Sequence, residues 1–151
     1  MHQSKPAVFT IGYEGAAVDD VIATLKAAGV TQLADIRAVP RSRKPGFSKN
    51  ILAARLEEKG IAYRHFRALG TPDEGRAAVR AGKPEKMRRI FEKHMQEREP
   101  KSALKDLIAW AEQAPTALLC FEREPAHCHR RIVAGKMRGF TIEDLFVPPT
   151  P

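Results

Sequence analysis

Along this chain, short continuous apolar runs alternate with longer stretches in which apolar residues recur at helical spacing. The run Ala7–Tyr13, AVFTIGY, is β-branched and aromatic and ends beside Gly12 and Gly15, which predicts a strand. Ala17, Val18, Val21, Ile22, Leu25 and Ala28 then share one helical face, and Gly29 stops the helix. Gln32–Ile36 predicts a second strand. Strand, helix and strand over so short a length make a βαβ unit, so these two strands should run parallel. Ser48 is placed to cap a helix over Lys49–Lys59, with Ile51, Leu52 and Leu56 inward and Gly60 closing it. Ile61–Phe66 predicts a third strand.

From Arg67 to Lys83 the periodicity fades among Gly70, Pro72, Gly75 and Gly82. A long surface loop or lid is expected there, with a short helix near Glu74–Arg80. Pro84 suits a first helical position, and Met87, Ile90, Phe91, His94 and Met95 share a face that reads as core. Ser102 is placed to cap a further helix with Leu104, Leu107, Ile108 and Ala111 inward, ended by Pro115. A strand over Thr116–Phe121, a helix from Pro125 to Arg138 and a short strand over Thr141–Phe146 complete the pattern, with flexible ends at about 1–6 and 147–151. The expected fold is one α/β domain over residues 1–151, a mostly parallel doubly wound (Rossmann-like) sheet of about five strands with helices on both faces. Its expected strand order is 3-2-1-4-5, which puts a ligand-binding crevice at the carboxyl ends of the first and fourth strands.

Composition narrows the class. No apolar run is long enough to cross a bilayer, and MHQSKPAVFT lacks the apolar core of a signal peptide. With only Cys120 and Cys128 as cysteines, reduced thiols and a cytoplasmic location are expected, with an internal disulfide as the alternative. A net charge of +8 favours anionic partners: nucleotides, nucleic acid or other phosphate compounds. Stacking aromatics are few, which argues against a dedicated single-strand platform.

Chemistry gathers at the predicted carboxyl edge. Tyr13 and Glu14 leave the first strand there, Asp35 and Arg37 the second, His65 or Arg67 the third, and Cys120 and Glu122 the fourth. The basic loop carrying Arg41, Arg43, Lys44 and Lys49 starts from the same edge. Cys128, His129 and Arg130 fall at the start of the predicted helix, where the helix dipole and neighbouring cations favour a thiolate. Free backbone N–H groups at that start, with Arg130, could cradle a phosphate, and Arg37, Arg41 and Arg43 could close over it. Glu14, Asp35 and Glu122 are candidates for proton transfer; Asp35 could equally pair with Arg37 or Arg130. A metal centre is a competing use of the cysteines. The spacing CFEREPAHC fits no standard zinc pattern, however, and residues 128 and 129 would point about 100° apart on a helix. No metal ligands or cofactor are assigned.

The segments TIGYEG, LADIRAVPRSRKPGFS, GIAYRHFRALG and LLCFEREPAHCHRRIVA, in this order, resemble the domain-of-unknown-function 488 family from about Phe9 to Ala134. The resemblance implies a single α/β domain with a suspected enzymatic or nucleic-acid-related role and no established reaction. The leading expectation is an enzyme acting on a phosphate-bearing substrate, with Cys120, Cys128, Glu14, Asp35 and Glu122 as catalytic candidates. Tyr13, Arg37, Arg41, Arg43, His129 and Arg130 are the candidates for holding substrate. The alternatives are a non-catalytic nucleotide- or nucleic-acid-binding module and a thiol-redox or metal-binding protein built on the cysteines. Oligomeric state is left open.

Overall fold

The most apolar run in the chain, Thr116–Cys120, is buried at every position, and a strand buried on both faces needs a partner on each side. A computed structural model describes residues 5–149 and gives this strand that central place. The strands are β1 (Ala7–Gly12), β2 (Gln32–Asp35), β3 (Ala62–His65), β4 (Thr116–Cys120) and β5 (Thr141–Leu145). All neighbours pair in parallel, in the order β3-β2-β4-β1-β5. The fold class is the expected one, but β4 enters between β2 and β1 rather than beyond β1. The first connection carries the chain past one empty strand position, which β4 later fills, with Thr10 opposite Leu118 on one side and Ala34 opposite Leu118 on the other.

Strand residues alternate between two cores. Phe9, Ile11, Leu33, Ala117 and Leu119 face α1 (Val18–Ala27) and α2 (Lys49–Glu58) on one side of the sheet. Val8, Ala34 and Leu118 face the other side, against α3 (Asp73–Arg80), α4 (Pro84–His94), α5 (Arg98–Ala111) and α6 (Arg130–Gly135). The chain leaving β4 therefore crosses to the face opposite that taken from both neighbours, β1 and β2. That divergence opens a crevice at the carboxyl end of β4.

Several boundaries differ from expectation. Ile51 is 54% exposed, so α2 packs through Leu52 and Leu56 alone. Ser48 occupies the N-cap position, but its hydroxyl bonds Ser42 instead, accepting from the Ser42 N–H. Helix α5 begins at Arg98, ahead of Ser102, because Pro100 is tolerated in a first turn where its missing N–H has no partner to lose. Val147, expected in a loose tail, is buried, and its carbonyl accepts a bond from Arg123. The rest of the expected flexible ends, residues 1–4 and 150–151, lies outside the described residues.

The expected helix from Pro125 is the largest local departure. Pro125–His127 forms one 3₁₀ turn, Cys128 is extended (φ −127°, ψ 146°), and the α-helix starts only at Arg130. His129 explains the break. Its Nε2 lies 2.7 Å from the Ile36 carbonyl oxygen across the sheet edge, which draws residues 128–129 inward before the helix can begin.

Candidate functional site

The crevice over the sheet's carboxyl edge is a cleft of about 890 Å³. Its floor is made by Tyr13, Arg37, Cys120, Cys128 and His129, and its rim by Glu14, Arg41, Phe121, Glu122, Glu124 and His127. The far wall comes from α3 and the start of α4 through Arg76, Arg80 and Met87. The sequence offers no site residue on α3; Met87 is core, as its helical face predicts, and also borders the cleft. The fading of apolar periodicity before Lys83 is the sequence signal for polar side chains facing the cleft there. Arg43 does not line the cleft; it is exposed on the loop beside Arg41.

At the floor the sulfurs of Cys120 and Cys128 are bonded to each other, in place of the reduced thiols expected, with their Cα atoms 7.3 Å apart. Both residues are buried, at 2% and 3% exposure. Two elements bring them together: β4 delivers Cys120 at its last residue, and the extended backbone at 128 turns the second sulfur back over the strand end.

Arg130 stands behind the pair and is completely buried. Its Nη1 donates to Cys120 Sγ at 3.2 Å and to the Glu122 carbonyl, and its Nη2 donates to the Arg123 carbonyl at 3.0 Å. Its Nε has no partner among the described residues. Burial lowers its pKa to about 10, against the attraction of Asp144, Glu122 and Glu124, so it stays cationic at neutral pH. The guanidinium thus holds the Glu122–Arg123 turn and one sulfur, rather than opening into a phosphate cradle. The amides expected to complete that cradle are also used within the turn: His127 N–H donates to Glu124 O at 3.0 Å and Cys128 N–H to Pro125 O at 3.1 Å.

Gly12 makes this packing possible. A Cβ there would fall on the Glu122 carbonyl and within 3.0 Å of Arg130 Nη1.

His129 sits beside Cys128, with Nδ1 at 3.7 Å from its Sγ and the ring 5.2 Å from that of Phe91. Because Nε2 faces a carbonyl, it carries the hydrogen and Nδ1 presents a lone pair to the sulfur. Burial, with Arg130 and His94 adding repulsion, pushes its pKa down to about 4, against the Ile36 carbonyl and Asp35, so the ring is neutral at pH 7.

Asp35 and Arg37 form a second buried unit. Arg37 Nε and Nη2 donate to the two oxygens of Asp35 at 2.9 and 2.8 Å, and the Arg37 backbone N–H adds a bond at 3.1 Å. Tyr63 donates its hydroxyl to Asp35 at 2.5 Å, and Arg37 Nη1 donates to the Tyr13 hydroxyl at 3.1 Å. The ion-pair alternative for Asp35 is therefore the arrangement present, with Arg37 as partner and not Arg130. Desolvation and the neighbouring Asp35 carboxylate push the Tyr63 phenol up, so it remains a donor. His65 closes the unit at the third strand, its Nε2 2.8 Å from the Arg37 carbonyl oxygen.

The remaining carboxylates differ. Glu14 is exposed and accepts the Arg123 N–H at 3.0 Å, joining the loops after β1 and β4. Glu122 is half-buried, and desolvation raises its pKa from the usual carboxylate value; Oε2 lies 3.7 Å from Cys120 Sγ. Tyr13 stacks on Phe47 at 4.3 Å and meets Phe121 edge-on at 5.4 Å, which fixes the cleft's near wall. The residues expected at one edge do share it, yet Arg37 and Arg130 point into the protein.

A family model described as "Domain of unknown function DUF488" matches residues 17–137, including β2, β4, both cysteines, His129 and Arg130. The chain belongs to this family. No curated protein and no solved structure matches it. The family match covers every strand end that forms the cleft except that of β1. No helix among the described residues is long and apolar enough to cross a membrane.

Proposed function

We propose that the protein is a thiol enzyme in which Cys120 and Cys128 cycle between disulfide and dithiol beneath an anionic substrate. The observation that carries the proposal is the meeting of the chain's only two cysteines on the floor of its large cleft, with a buried guanidinium on one of them. Thiol–disulfide exchange needs an accessible sulfur and a stabilised leaving thiolate. Arg130 Nη1 supplies the second requirement at Cys120.

The exchange then runs in one direction across the pair. A thiolate of a dithiol substrate attacks Cys128 Sγ, a mixed disulfide forms, and Cys120 leaves as a thiolate held by Arg130. The second substrate thiol closes on the mixed disulfide, releasing Cys128. The substrate loses two electrons and two protons as its own disulfide forms, and the protein gains both. His129 Nδ1 accepts a hydrogen bond from the regenerated Cys128 thiol. Glu122, kept protonated to higher pH by burial, is the nearest acid to Cys120.

Arg41 and Arg80 favour an anionic substrate. Both are exposed at the cleft and make no ion pair among the described residues, whereas Arg76 is paired with Asp73. A phosphate group, as in a nucleotide or nucleic acid, suits such guanidinium forks. A second, disulfide-bearing substrate closes the cycle: by the reverse exchange it takes the two electrons and two protons from Cys120 and Cys128 and restores their disulfide.

The test is oxidation of a small dithiol such as dithiothreitol by the protein, with a disulfide such as oxidised glutathione as the electron acceptor, and with protein thiols counted before and after. Reduction should yield two alkylatable thiols per chain, and Cys128→Ser should abolish turnover. Full turnover and unchanged ligand affinity in Cys128→Ser would remove the thiol pair from the function. Salt-sensitive binding of nucleotides or oligonucleotides without any thiol turnover would point instead to a non-catalytic binding module.

A further inference from the structure

We propose that, once reduced, Cys120, Cys128 and His129 form a binding site for a thiophilic divalent cation of the zinc class. The Sγ atoms of the two cysteines and a ring nitrogen of His129 all lie within 4.8 Å of one another, and all three residues are buried. All three also line the cleft, which gives an ion a path in.

The spacing suits coordination. With Zn–S near 2.3 Å and Zn–N near 2.0 Å, tetrahedral geometry places a sulfur and a nitrogen ligand about 3.5 Å apart. Cys128 Sγ and His129 Nδ1 are 3.7 Å apart already. Two sulfur ligands should stand about 3.8 Å apart. The cysteine Cα atoms are 7.3 Å apart, wider than the roughly 4.4–6.8 Å usual between bonded cysteines, so there is room for an ion between the reduced sulfurs.

The histidine is prepared for the task. A metal-binding imidazole ordinarily donates its other ring N–H to a carbonyl or carboxylate, which fixes the tautomer. His129 does this through Nε2 and the Ile36 carbonyl at 2.7 Å, leaving Nδ1 free on the sulfur side. The objection from sequence, that residues 128 and 129 diverge on a helix, does not apply, because Cys128 is extended and the helix begins after His129. Glu122 Oε2, 3.7 Å from Cys120 Sγ, is a further oxygen donor for a fourth position. Charge also balances: two thiolates neutralise the ion, and the Glu122 carboxylate offsets Arg130, whose N–H bond to Cys120 steadies that sulfur.

The site uses the dithiol form that the thiol-enzyme proposal requires, and the two are separately testable. The experiment is cobalt(II) titration of the intact protein, reduced with a phosphine under nitrogen so that no small thiol competes. One equivalent per chain should bind with sulfur-to-cobalt charge transfer and the visible bands of tetrahedral cobalt, and zinc should displace it. Cys120→Ser and Cys128→Ser should each weaken binding at least about 100-fold, and His129→Gln about 10- to 100-fold with shifted bands. No charge-transfer band in wild-type protein whose two thiols are shown free would overturn the site. So would equal affinity in a folded Cys120→Ser variant.

A wild-type measurement guards against unfolded variants. Hydrogen peroxide should convert the zinc-bound dithiolate, with two protons, to the disulfide, free zinc and two waters, releasing one zinc for each disulfide formed. Zinc retained after complete disulfide formation would rule the cysteines out as ligands. Dithiol turnover in the presence of a chelator reports on the enzyme proposal alone.

Discussion

His129 gives the most direct measure of how the cleft floor is built. The ring is 6% exposed, packed against Phe91, held by the Ile36 carbonyl and set beside the buried Arg130, so gaining a proton there is costly. Its pKa is about 4 in the folded protein, against 6.5 for an ordinary histidine. A depressed histidine pKa means that the unfolded chain binds the extra proton between those two values. Stability is therefore undiminished above about pH 6.5 and falls as pH drops toward 4, levelling off below that. A shift of about 2.5 units at roughly 1.4 kcal/mol each gives a loss on the order of 3 kcal/mol. Urea unfolding of the oxidised, chelator-treated protein at steps from pH 7.5 to pH 4 measures it, with His129→Gln as the comparison. Glutamine keeps an N–H for the Ile36 carbonyl and cannot titrate. Other groups titrate alike in both proteins, so the difference between the two curves isolates His129. The variant should lose about 3 kcal/mol less than wild type across this range, whatever its stability at pH 7.5. Parallel curves would refute a buried, neutral His129 and with it the tautomer that points Nδ1 at Cys128.

Three further outcomes are expected. Asp35→Ala should destabilise the protein by roughly 3–5 kcal/mol in urea unfolding, because it leaves the buried Arg37 guanidinium and the Tyr63 hydroxyl unpaired. An Asp35→Ala/Arg37→Met cycle should recover much of that loss; strict additivity would contradict the pairing. Gly12→Ala should cost on the order of 3 kcal/mol in thermal or urea unfolding, since the added Cβ meets the Glu122 carbonyl and Arg130. A stability within about 0.5 kcal/mol of wild type would mean the turn after β4 yields easily. Arg41→Glu with Arg80→Glu should weaken inorganic phosphate or nucleotide binding at least about tenfold and flatten its salt dependence, read by calorimetry at two ionic strengths. Unchanged affinity would place any anion elsewhere.

Local pattern carried most of the element list. The faces of α1 and α4, the fully apolar β4 and the glycine stops follow from periodicity and backbone freedom, and both are properties of neighbouring residues. The edge on which the site gathers was legible too, because parallel βαβ connections put the carboxyl ends of all strands together. Only long-range contacts decided the rest. Strand order depends on which strand position the first crossover skips, and TALLC says only that its strand is buried, not between which neighbours. In sequence Arg130 and Arg37 are open both to a phosphate and to Asp35; the carbonyls of Glu122 and Arg123 and the carboxylate of Asp35 that occupy them arrive through folding. That the two cysteines, eight residues apart, face each other is one option in the sequence and is decided by folding for the same reason. Helix propensity around Pro125–Arg138 favours a continuous helix, while the bond from His129 to Ile36, ninety-three residues away, stops it at Cys128 and turns that sulfur onto Cys120. The sequence by itself determined which chemical groups stand at the sheet's edge. The tertiary structure decided which of them are spent holding one another and which remain facing the cleft.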